Sequence, residues 1–109
     1  MQWFVSCVVA VAVGLGVAGG AVADEARAAI KALLITGGCC HDYPFQTRQY
    51  MQAAKDRGVD VDWTVVMQGG TGTSAEIDLY SDPDWAEGYD VVIHNECFAN
   101  TANPDYIRT

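Results

Sequence analysis

Most of the residues that could do chemistry stand in two short clusters. Cys39-Cys40-His41-Asp42-Tyr43 sets two thiols, an imidazole, a carboxylate and a phenol in consecutive positions, and His94-Asn95-Glu96-Cys97 repeats most of those types later in the chain. Three chemistries suit them. A thiol nucleophile at Cys39 or Cys97 could be activated by His41 or His94. The tight turn that presents such a nucleophile needs small neighbours, however, and Cys97 lies between Glu96 and Phe98 while Cys39 is followed by Cys40. A zinc-like divalent metal is the cofactor that Cys39, Cys40, Cys97, His41 and His94 could hold, with Asp42 or Glu96 as oxygen donors, although no Cys-x-x-Cys or His-x-x-x-His pair occurs. Acid–base work is the third: His41 beside Asp42, and His94 near Glu96, pair imidazoles with carboxylates that fix a tautomer, and Tyr43 adds a donor. Each has a plainer structural account, with the loop thiols as small buried apolar groups, His41 as a hydrogen-bonded loop residue and the carboxylates as solvated ones.

The positioning elements follow from patterning. A continuous apolar run predicts a strand over 31–36, covered on both faces as in a parallel sheet. Gly37 and Gly38 then allow positive φ and close approach of a ligand, so the first cluster sits on a strand-to-helix loop. Thr47, Tyr50, Met51 and Ala54 recur at helical spacing, Pro44 stands near the start, and Lys55, Arg57 and Gly58 mark the end. Alternation over 59–65 predicts a half-exposed strand near a sheet edge. Gln68 to Ser74 is glycine-rich but lacks the Gly-Lys-Ser/Thr ending of a phosphate loop, which leaves a flexible connection. Asp82-Pro83-Asp84-Trp85 predicts one short helical turn, 89–94 a third strand, and Asn103-Pro104-Asp105 the opening of another helix.

The expected fold class is therefore α/β, a flavodoxin-like doubly wound parallel sheet with strand order 2-1-3 in the part present. In that order the first and third strands are adjacent and parallel, and both clusters reach the carboxyl edge of one sheet. With strands about 4.8 Å apart, His41 and His94 should lie within about 10 Å of each other.

Composition bounds the function. The 109 residues are 50% apolar and carry a formal charge of −8, with six scattered Lys and Arg, which excludes a generic nucleic-acid binder. Residues 1–23 read as a signal peptide: an uncharged apolar stretch from Val5 to Ala18, then Ala21-Val22-Ala23 before Asp24. Export with cleavage at that point is expected. The rival is an uncleaved membrane anchor, since residues 3–23 reach the roughly 20 that span a bilayer and the start has no Lys or Arg. Residues 24–30 form a linker, and 31–109 resemble the amino-terminal part of a larger domain, because the last predicted helix has only begun when the sequence stops. After cleavage three cysteines remain, an odd number in an oxidising compartment, so one thiol is free, metal-bound or paired elsewhere.

The segments Leu33-Leu34-Ile35-Thr36-Gly37-Gly38-Cys39-Cys40-His41-Asp42-Tyr43 and Tyr89-Asp90-Val91-Val92-Ile93-His94-Asn95-Glu96-Cys97 together resemble the ThuA-like (trehalose utilisation) domain in its secreted form. That resemblance implies a glutamine-amidotransferase-like α/β fold and carbohydrate metabolism, with trehalose-type or keto-glycosides as the substrate class. It does not imply amidotransferase activity, since Cys97 lacks the flanking glycines of that elbow. The expectation is an exported domain that binds and transforms a small-molecule carbohydrate, with His41, Asp42 and His94 as catalytic residues and Gly37, Gly38, Tyr43, Asn95 and Glu96 around the ligand. The alternative is a non-catalytic carbohydrate-binding or structural module of a larger exported protein.

Overall fold

The computed structural model describes residues 27–108. The predicted signal peptide or anchor falls outside them, and no helix among the described residues is long and apolar enough to cross a membrane. Three parallel strands, β1 (Ile30–Gly38), β2 (Val61–Met67) and β3 (Val91–Cys97), form one sheet in the order β2-β1-β3, as the patterning predicts. β1 holds the centre because its side chains are apolar on both faces, and every residue from Ala32 to Gly38 is buried. On β2 the alternation survives: Asp62 and Thr64 are exposed while Val61, Trp63 and Val65 are half-buried, as suits a strand with one covered face.

Helix α1 (Tyr43–Asp56) starts where its cap allows. The Asp42 carboxylate accepts from the Phe45 N–H at 2.9 Å, and Pro44 occupies the first turn, where no N–H is needed. Gly58, at φ +65°, closes the other end by donating to the Lys55 carbonyl. The buried stripe differs slightly from the predicted one. Tyr43 and Thr47 are buried, Met51 and Ala54 half-buried, and Tyr50 lies on the exposed side.

The sheet faces carry different cover. Leu33 and Ile35 point away from α1 and pack with Ile77, flanked by Val66, Leu79, Tyr80, Trp85, Tyr89, Val92 and Phe98. Burying each of the three aliphatic side chains contributes about 1.5–3 kcal/mol, an upper bound because a denatured chain is already partly collapsed. The cover on this face is a 3-10 turn at Asp78–Ser81 followed by successive turns. The short helical turn was expected at 82–85; there Asp82 does cap, accepting from the Asp84 N–H at 2.9 Å, but the chain makes only hydrogen-bonded turns.

The glycine-rich segment is a second departure. Rather than a flexible connection it is fastened to its surroundings. The Gly38 N–H donates to the Gly70 carbonyl, the Gln68 amide both donates to the Asp78 carboxylate and accepts from the Asp78 N–H, and Asn100 bonds Thr73 through backbone and side chain. Asn103 caps α2 (Pro104–Ile107), accepting from the Asp105 N–H at 3.1 Å, as its sequence predicts.

Candidate functional site

Register brings the two clusters to one rim. Gly37 pairs with Glu96 and Gly38 with Cys97, and the Cys39 N–H donates to the Cys97 carbonyl at 3.3 Å. Both glycines are required. Gly37 (φ +146°) and Gly38 (φ +108°) adopt backbone that side chains rarely take, and a Cβ would run into the Gln68 carbonyl oxygen at the first and the Cys97 carbonyl oxygen at the second.

Strand alternation then separates the groups of β3. His94 and Glu96 emerge on the face covered by residues 75–89, while Asn95 emerges towards α1 and donates to Gln46 Oε1 at 3.1 Å and, at 3.5 Å, to Thr36 Oγ1. Because β3 runs to Cys97, Glu96 shares His94's face, and its Oε1 lies 2.9 Å from His94 Nδ1. Tyr80, brought over by the 3-10 turn, completes the group. Its hydroxyl donates to Glu96 Oε1 at 2.6 Å and lies 3.0 Å from His94 Nδ1.

The network fixes the proton positions. The single Tyr80 proton goes to the carboxylate, so His94 Nδ1 must carry a hydrogen, since a lone pair there would face carboxylate lone pairs. In the neutral ring Nε2 is then the acceptor. His94 is half-exposed, so this acceptor nitrogen is available to a ligand. Burial first, then the hydrogen bond to Glu96 and the charges of Glu96 and Tyr106, push the Tyr80 phenol far above its ordinary 10.0 and keep it an O–H donor.

These groups line a cavity of about 390 Å³ whose other walls include Trp85, Phe98 and Tyr106. The Tyr80 ring packs edge-on to Trp85 at 5.1 Å, lies tilted 5.9 Å from Tyr106, and stacks beside His94 at 6.1 Å. Tyr106 is anchored from α2 by accepting the Ile77 N–H at 3.0 Å.

The loop residues stand otherwise. Cys39 and Cys40 are joined to each other in a disulfide, and among the described residues Cys97 is a free thiol, one of the three outcomes the odd count allowed. Tyr43 is buried and donates to the Cys39 carbonyl at 3.0 Å; burial, then the Cys97 and Glu96 charges, push its phenol up. His41 is exposed, its ring edge-on to Tyr43 at 5.9 Å, and Asp42 is exposed with Oδ1 engaged in the helix cap. Neither lines the cavity. Asn95 lines a smaller hollow with Gln46 and Tyr50.

The five-residue metal set does not assemble. Among the described residues no three His, Cys, Asp or Glu side chains gather as ion ligands. Alternation sends Cys97 to the opposite face from His94, and the loop thiols bond each other. Tyr80 is the member of the group that the sequence did not disclose. The signal available was the concentration of Tyr80, Trp85 and Tyr89 in a segment otherwise rich in turn-forming residues. Comparison of the chain with protein-family models, with curated proteins and with solved structures finds no match.

Proposed function

We propose that this chain is an exported ThuA-like domain that binds a sugar or sugar derivative in the cavity beside the carboxyl end of β3 and transforms it by proton transfer at His94. The observation that carries this is the His94–Glu96–Tyr80 cluster opening onto aromatic walls. Aromatic faces cover the carbon face of a sugar ring, while a few convergent polar groups orient its hydroxyls. His94 Nε2 withdraws a proton from a ligand hydroxyl or from a carbon beside a carbonyl; Glu96 holds the ring orientation and balances the charge that forms. Tyr80 fixes the carboxylate from behind. The two sequence segments that resemble the secreted ThuA-like form support the carbohydrate class, and Gly37 and Gly38 shape the rim on which it rests.

The test is incubation of the full chain with glycosides of the trehalose type and with keto-glycosides, following product formation and binding in parallel. Turnover that falls at least about 100-fold in His94→Gln, with the far-ultraviolet spectrum unchanged, is the expected result for a general base. Binding without turnover in the wild-type chain would leave the non-catalytic module as the function, and failure of every glycoside to bind would overturn the carbohydrate reading.

A further inference from the structure

We infer that the ligand at this cavity carries a primary ammonium group, so that, resting on the carbohydrate reading above, the sugar is an amino sugar. Glu96 is the starting point. Its Oε1 takes the bonds from Tyr80 and His94, whereas Oε2 is buried and has no partner. A carboxylate oxygen withdrawn from water without a donor is costly, and a donor bearing positive charge compensates it better than a neutral hydroxyl does. Glu96 lines the cavity, so an ammonium held there meets the carboxylate whose second oxygen has no donor.

Charge bookkeeping across the chain points the same way. All six basic side chains, Arg27, Lys31, Arg48, Lys55, Arg57 and Arg108, are among the described residues, and none lines the cavity. A sugar phosphate or uronate would therefore meet Glu96 and a chain of net charge −8 with no lysine or arginine to receive it. An ammonium meets the reverse situation. Beside Glu96 stand Tyr80, Trp85, Phe98 and Tyr106, whose ring faces attract a cation.

Titration calorimetry of the full chain at neutral pH with glucosamine, N-acetylglucosamine, glucose, glucuronate and butylammonium tests this. Glucosamine is expected to bind at least about tenfold tighter than glucose or N-acetylglucosamine, the difference between a charge-assisted and a neutral hydrogen bond, with glucuronate weakest. Glu96→Gln should bring glucosamine down to the affinity of N-acetylglucosamine. The wild-type comparison decides alone if that variant does not fold. Equal affinity for glucosamine and N-acetylglucosamine overturns the ammonium inference and leaves the carbohydrate reading standing. Binding of butylammonium with no sugar bound keeps the ammonium site and overturns the carbohydrate reading, and binding of none of the five overturns both.

Discussion

The loop after β1 and the end of β3 lie side by side at one rim, yet their reactive groups serve different ends. In the loop they turn back on the local chain: Asp42 caps α1, the Tyr43 hydroxyl holds the Cys39 carbonyl, and the two thiols close on each other. At the end of β3, His94 and Glu96 reach across the sheet face to Tyr80, which lies 14 and 16 residues earlier, and leave His94 Nε2 unengaged by that network. Consecutive positions in a strand diverge, whereas positions two apart converge. Density of reactive types along the sequence therefore marks a place where the backbone is shaped, and the spacing of two marks where side chains cooperate.

The largest expected effect breaks the rim that both regions share. Gly38→Ala puts a Cβ against the Cys97 carbonyl at a φ of +108°, and should lower stability by about 3 kcal/mol or more in a thermal melt. Gly72→Ala, with open space around it, is the matched control and should melt close to wild type.

Next comes Tyr80→Phe, which removes the donor to Glu96 while keeping the ring. A loss of about 1.5 kcal/mol is expected from the missing charge-assisted bond. The pH dependence follows from the raised phenols of Tyr80 and Tyr43. Below their ordinary value of 10.0 both folded and unfolded chains hold these protons; above it the unfolded chain releases them and the folded chain does not, so stability falls as pH rises. Melting temperatures measured upward from pH 9 should drop beyond about pH 10, less steeply in Tyr80→Phe. An unchanged alkaline slope in the variant would remove Tyr80 from the account.

The smallest effect sharpens the contrast at Asp42. As a helix cap it tolerates asparagine, so Asp42→Ala should cost about 1 kcal/mol and Asp42→Asn only a few tenths. If the carboxylate instead took part in proton transfer, both variants would lose turnover to a similar extent.

The framework was legible because local physics determines it. The apolar run 32–35 suited a covered strand, Pro44 stood near the start of α1, Asn103-Pro104-Asp105 carry the cap that α2 uses, and Gly58 stops α1. His94 and Glu96 were visible as a pair, but their shared face depended on β3 continuing to Cys97, which its pairing with Gly38 secures. Tyr80 was not visible as a partner. Its segment has no period, and its position rests on long-range contacts of Ile77 and Leu79 with β1 that no neighbouring residue announces. The loop thiols were legible as reactive types, while their mutual bond was not, because the turn that brings them together, with Cys40 at φ +81°, is not encoded by a residue type.

The central place of β1 has a consequence for how the protein is made. This strand is the first of the three to be synthesised, and its two partners arrive later. Lys31 and Asp90, which open the pairing with β3, are separated by 59 residues. At usual ribosomal rates that interval is roughly 3 to 12 s, during which Ala32, Leu33, Leu34 and Ile35 form a sticky segment on a nascent chain that has not yet supplied both neighbouring strands. Until β3 emerges, that segment is where the unfinished chain is most open to self-association.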